Sequence, residues 1–176
     1  MKNLLMFLLI SMSLVLVSCK DDDSDPVQPE EKAAIVGTWV SDGNNVAYGL
    51  RATLKVAKIV ATFNENSSYS FVQTDSSGVS TTYNGTYTFI ETTYTDTLTG
   101  SFTNGAKVYN MVASQTTPAI TASGIAAVSG NNMSYEVIQT SPALTGVNAP
   151  TAAGGFGSTT VGGVSYAIYI QKYVKQ

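Results

Sequence analysis

The stretch Thr82-Tyr83-Asn84-Gly85-Thr86-Tyr87-Thr88-Phe89 sets aromatic against small polar side chains at every second position. A period of two belongs to a β-strand, whose successive side chains point to opposite faces, and argues against a helix. One face then carries Tyr83, Gly85, Tyr87 and Phe89, and the other Thr82, Asn84, Thr86 and Thr88. A ladder of hydroxyls stays in water without charge, which suits a chain of 176 residues with only 12% charged residues. The 44% hydrophobic content argues against a disordered chain.

From Ile35 onward, short runs rich in Thr, Tyr, Val, Ile and Phe are broken by Gly, Asn, Asp and Ser clusters, the spacing of an antiparallel all-β domain. The runs cover residues 35–40, 59–63, 68–74, 79–91, 92–103, 106–115, 119–128, 133–140 and 164–174. Asn104-Gly105 tolerates positive φ and predicts a tight hairpin between the runs flanking it. Tyr94, Leu98 and Phe102 would then share an inner face. Residues 46–58 fit either a helix or a strand, since Val46, Leu50, Leu54 and Ala57 sit at helical spacing. Eight or nine such strands close most economically into an up-and-down barrel, which removes exposed edges. The expected fold is therefore an all-β antiparallel barrel of about eight strands, with room for one short helix.

Ahead of this domain, Met1-Lys2-Asn3 precedes an apolar run over residues 4–17, the layout of a secretory leader. That run is shorter than the roughly 20 residues of a membrane span. It ends in Leu16-Val17-Ser18-Cys19, which resembles the lipobox of bacterial lipoproteins. The resemblance implies a signal peptide over residues 1–18, cleavage before Cys19, and lipid on its thiol and on the new amino terminus. The membrane then becomes a partner, since each buried methylene contributes about 0.8 kcal/mol. Lys20, Asp21, Asp22 and Asp23 resemble the Lys-then-acidic export tag of Bacteroidetes surface lipoproteins, implying an outer-membrane protein exposed at the cell surface. A solvated spacer is the plainer reading of the same run.

Residues 20–32 hold two Lys against six acidic residues, a net charge of -4, with Pro26 and Pro29 and no apolar periodicity. Residues 19–32 thus read as a lipidated Cys on a disordered acidic tether, its 13 residues past Cys19 reaching at most about 45 Å. The domain over residues 33–176 is neutral, with Arg51 and five Lys balancing six acids. With no net positive charge, the domain is not expected to bind nucleic acid.

The first run, Ile35-Val36-Gly37-Thr38-Trp39, resembles the Gly-x-Trp signature on the first strand of lipocalins and related calycin barrels. Residues 63–71 and Asn84-Gly85-Thr86-Tyr87 are similar to the strand-turn-strand and Gly-x-Tyr strand of bacterial lipocalin-like lipoproteins. Met133-Ser134-Tyr135-Glu136-Val137 and the loop at Gly154-Gly155-Phe156-Gly157-Ser158 are similar to a Bacteroidetes branch of them. The resemblance implies that Gly37 and Trp39 sit at the closed barrel end, with a basic side chain from near the last strand over the Trp ring, a cation-π contact. Lys172 or Lys175 would have to supply it.

Chemistry is limited by what the chain lacks. With no His and one Cys, Ser-His-Asp and Cys-His arrangements cannot form, nor can metal sites built on imidazole or free thiol. No metal and no cofactor are expected. The domain's acids are scattered singly, without the carboxylate pair of a glycosidase. Glu91, Asp96 and Glu136 are the better candidates for carboxylate catalysis, but strand-end acids are commonly solvated and these are expected to be so, while Asp42-Gly43-Asn44-Asn45 reads as a turn rather than a calcium loop. The glycines of residues 154–157 lack the Lys and helix of a phosphate loop, and the surrounding loop, residues 141–163, is either a flap over a barrel mouth or slack. Asp96-Thr97-Leu98 resembles the acceptor of Bacteroidetes protein O-glycosylation, implying a sugar on Thr97; an ordinary exposed Thr explains it equally.

These readings converge on a non-enzymatic, lipid-anchored envelope protein that binds a small hydrophobic or aromatic ligand among the inward residues Tyr69, Phe71, Tyr83, Tyr87, Tyr94 and Tyr135. The same side chains could instead fill a small barrel solid, leaving a structural protein. The principal alternative is a surface adhesin or accessory glycan-binding module that works through the Ser/Thr/Tyr exterior.

Overall fold

The computed structural model describes residues 34–176. The expected leader, Cys19, the Lys20-Asp21-Asp22-Asp23 stretch and the tether all lie outside the described residues. Eight strands close into an antiparallel barrel: β1 (Gly37–Asp42), β2 (Val56–Phe63), β3 (Ser68–Asp75), β4 (Ser80–Thr95), β5 (Lys107–Thr116), β6 (Ala119–Ser129), β7 (Asn132–Ser141) and β11 (Gln171–Lys175). Their order around the wall is β1-β11-β7-β6-β5-β4-β3-β2. Between β7 and β11 the chain makes a small three-stranded sheet from β8 (Val147–Asn148), β9 (Thr160–Val161) and β10 (Val164–Ser165). The all-β barrel of about eight strands is thus the observed architecture, and its short helix is α1 (Tyr48–Leu54). Residues 46–58 are helix and strand in turn: α1 stops where Lys55 enters the left-handed region, φ 58°, and β2 starts one residue later.

Alternation decides what lies inside. Tyr87 and Phe89 of β4 are buried, while Thr82, Thr86 and Thr88 face solvent. A membrane-spanning barrel shows the reverse, apolar outside and polar within. One end of the interior is packed solid around Trp39, Phe63, Tyr87, Phe89, Met111 and Met133. Phe63 meets Tyr87 edge-on at 5.1 Å and Phe89 stacks on Tyr109 at 4.1 Å, geometries that aromatic quadrupoles favour. The Trp39 Nε1–H donates to the Ile35 carbonyl at 2.7 Å, so the buried indole leaves no polar atom unpaired. Lys175, the second of the two expected lysines, brings its Nζ to 5.1 Å from the Trp39 ring centre. Gly37 lies beneath it at φ +130°, a conformation that strains any residue with a Cβ, and the Lys175 Cε stands only 2.8 Å from where that Cβ would be.

The expected hairpin at Asn104-Gly105 is not formed. β4 continues to Thr95, and residues 96–106 make a loop instead of two strands. The cause is Asp96, only 2% exposed. Its carboxylate accepts from the Leu98 amide at 3.0 Å, the Ser101 hydroxyl at 2.5 Å and the Thr103 hydroxyl at 2.7 Å, which winds the chain round itself. Gly105 does take positive φ, +83°, and its amide donates to the Asp96 carbonyl, so the turn signal was real but belongs to a longer loop. Leu98 and Phe102 consequently leave the inner face. The single run expected over residues 164–174 is also divided, into β10, a 3-10 turn at Ala167–Tyr169, and β11. The first strand starts at Gly37 rather than Ile35.

A second apolar cluster lies outside the barrel wall. Val108, Ile125 and Ala127, on the outward faces of β5 and β6, are covered by Phe156, Leu98, Ala106, Ala152 and Ile170. The residue 96–106 loop and the long β7–β11 excursion supply this cover. Residues 141–163 are therefore neither a flap over the mouth nor slack. Two buried polar anchors fasten the cover to β7: Ser134, bonded to Thr103 at 2.8 Å, and Glu136, fully buried. Glu136 accepts the Gly157 amide at 2.6 Å and the Thr159 amide at 3.1 Å. The expectation that Asp96 and Glu136 are solvated is thus corrected, since each carboxylate is inside and organises a loop. Glu91, by contrast, sits partly exposed in an ion pair with Lys107 at 2.7 Å.

Replacing Glu136 by Gln keeps the shape but sets an amide N–H₂ against a backbone donor. The expected cost is about 1–3 kcal/mol of unfolding free energy, read as a lower urea midpoint at unchanged m-value.

Candidate functional site

At the other end of the barrel the interior is not filled. This end gathers α1, the β3–β4 and β5–β6 turns and the start of β11. Two cavities of about 180 and 320 Å³ lie there and share the walls Leu50, Phe71, Gln73, Tyr135 and Val137. The larger also touches Tyr69, Tyr83, Gln115 and Ala122, and the smaller Ile59, Tyr169, Gln171 and Tyr173. Alternation along each strand explains the set: Tyr69, Phe71 and Gln73 follow one another inward on β3, as do Tyr135 and Val137 on β7.

The helix above the cavity is held by one glutamine. Gln171 is buried, and its Oε1 accepts the Ala47 amide at 2.9 Å while its Nε2 donates to Ser41 at 2.5 Å. This fixes the entry to α1 and places Leu50 over the cavity. Tyr169 packs against the same helix at Gly49, where a Cβ would come within 3.1 Å of its ring.

Of the six aromatic candidates, the structure brings Tyr69, Phe71, Tyr83 and Tyr135 together around the larger cavity. Tyr87 lies deeper in the packed end, its hydroxyl donating to the Asn64 carbonyl at 2.9 Å. Tyr94 is excluded: it follows the register shift in β4 after Glu91 and is 46% exposed. Thr97 is exposed on the Asp96 loop. Tyr173 was not among the expected residues, although it alternates with Gln171 and Lys175 on the last strand. Leu50 was hidden in the ambiguous segment, and Tyr169 sits on a 3-10 turn that no periodicity marks.

The rings form a continuous path, with Phe63 to Phe71 at 5.5 Å, Phe71 to Tyr135 at 6.3 Å and Tyr135 to Tyr173 at 6.0 Å. Unlike that of Tyr87, the hydroxyls of Tyr69, Tyr135 and Tyr173 have no hydrogen-bond partner among the described residues. Burial pushes the Tyr135 phenol well above its ordinary pKa, helped by the neighbouring phenols of Tyr173 and Tyr69, and burial also raises Tyr173 and Tyr69. All three are therefore neutral donors at any physiological pH. Among the described residues, no charged side chain lines either cavity.

No family model, no curated protein and no solved structure matches this chain. Its site must be judged on its own chemistry.

Because the folded phenols hold their protons more tightly than the unfolded ones, their contribution to stability is complete below about pH 10 and falls as the pH rises above it. An alkaline titration followed by tyrosinate absorbance should show Tyr135 and Tyr173 ionising only as the barrel unfolds. In the Tyr135→Phe, Tyr173→Phe double variant, stability should fall less steeply above that pH.

Proposed function

We propose that this chain is a lipid-anchored envelope protein, held by Cys19, whose lipocalin-like barrel binds a small apolar ligand in its open end without converting it. The observation that carries this reading is the cavity of about 320 Å³, walled by neutral and largely apolar side chains. That volume falls at the small end of the roughly 300–1,000 Å³ of ligand pockets, so a ring system or one section of a chain fits better than a whole diacyl lipid. The Lys175–Trp39 contact and the Gly37 beneath it support the lipocalin-like reading, since they place a basic group where that family's signature needs one. The chain's lack of His and the neutral lining favour binding over catalysis. The packing around Trp39 and Phe63 is what supports the filled-barrel alternative, and the cavity at the other end is what favours binding over it.

The test is to titrate the protein with apolar ring compounds, neutral lipids and short glycans while following Tyr fluorescence and melting temperature. An apolar compound should bind and raise the melting temperature. Ala122→Phe, which projects into the larger cavity, should weaken that binding by about tenfold or more with little loss of stability. Glycan binding that survives Ala122→Phe would favour a surface adhesin instead.

A further inference from the structure

The cavity's polar groups are unusual for what they leave unused. Tyr135 of β7 lines both of the adjoining cavities, Tyr69 of β3 the larger and Tyr173 of β11 the smaller. Tyr87, in the packed end, has found a carbonyl, whereas among the described residues these three have found no acceptor. A phenol that serves only to fill space could be Phe, as Phe63, Phe71 and Phe89 are in the same interior. Where a hydroxyl is kept in an apolar cavity without a protein acceptor, water or a ligand must receive its hydrogen bond.

Charge narrows the ligand further. Arg51 of α1 and Lys55 just after it line other pockets instead, and Lys172 lies over the Phe102 ring. Among the described residues no cation lines the cavity, and its few phenol donors would offset only part of the desolvation of a buried carboxylate or phosphate. A pure hydrocarbon, in turn, would strip water from the phenols and offer them no acceptor.

We infer that the cavity selects an uncharged apolar molecule carrying a carbonyl-type acceptor, which the hydroxyls of Tyr135 and Tyr173, with Tyr69 beside them, receive as donors. This rests on the binding role proposed above and specifies its ligand class. Quinones, ketones and neutral esters belong to that class; ionised fatty acids and bare hydrocarbons do not.

Three compounds sharing one ring size separate the possibilities: menadione, with two carbonyls, 2-methylnaphthalene, with no acceptor, and 2-naphthoate, with a charge. Titration calorimetry with the purified protein should give menadione an affinity about tenfold above both others. Tyr135→Phe and Tyr173→Phe should each remove most of that advantage while changing the 2-methylnaphthalene affinity by no more than about twofold. The comparison of the three compounds on the unaltered protein stands even where a variant folds poorly. Equal binding of menadione and 2-methylnaphthalene, or tightest binding of 2-naphthoate, overturns the inference while leaving an apolar binding site in place. Binding of none of the three, with no other apolar compound bound, removes the binding role and the inference together.

Discussion

Closure of the barrel depends on five residues. β11, Gln171–Lys175, pairs with β7 on one side and β1 on the other, and without it both strands would be open edges. Its three inward side chains each serve a different level of the interior. Lys175 covers Trp39 at the packed end, Tyr173 lies edge-on to Tyr135 at the cavity, and Gln171 ties α1 to the rim. A strand this short makes few ladder hydrogen bonds, so its position rests on these side chains and on what comes before it. The same alternation that seals the barrel therefore also sets where its interior stops being full.

What comes before it is the long excursion from β7, and its placement explains the second apolar cluster. A strand as short as β11 needs the chain to arrive from the right direction. Phe156 and Ile170 pack on the outward faces of β5 and β6, and Glu136 pins the amides of Gly157 and Thr159. Burying a carboxylate is favourable only when its lone pairs are taken up by donors, and here two backbone amides converge on it. The loop carrying Asp96 approaches the same wall from the packed end and meets β7 through Ser134. Barrel closure and the outer cover are thus one arrangement, with β7 in common.

Much of this was legible in the sequence, and the reasons for the rest are physical. Strands with one wet and one buried face, such as β3 and β4, declare themselves by alternation, and the Gly37–Trp39 pair with its lysine could be anticipated. β5 to β7 are covered on both sides over part of their length, so their outward Val108 and Ile125 carry no polar signal to separate the faces. The run after Thr92 kept its alternation past the point where β4 ends, because Thr, Ser and Leu suit a hydroxyl-rich loop as well as a strand. Only the burial of Asp96 ends the strand, and burial of a carboxylate is a tertiary property. Of the cavity, the strand-borne aromatics were readable, whereas Leu50 and Tyr169 arrive from α1 and a 3-10 turn whose positions depend on Gln171.

Tyrosine is the residue on which the choice between a filled and a hollow barrel turns, and composition cannot make that choice. A buried phenol is satisfied in a solid core when its hydroxyl meets an acceptor, as Tyr87 does at Asn64. Tyr135 has a similar neighbourhood of rings, packing edge-on with Phe71 and Tyr173, yet its oxygen meets no such acceptor among the described residues. The difference is one of depth, because the β2–β3 turn folds a carbonyl inward over Tyr87, while above Tyr135 the wall ends in Gln73, Val137 and the lid residue Leu50. An aromatic interior can therefore be core at one level and binding surface at the next, and the hydrogen-bond state of each hydroxyl marks where one gives way to the other.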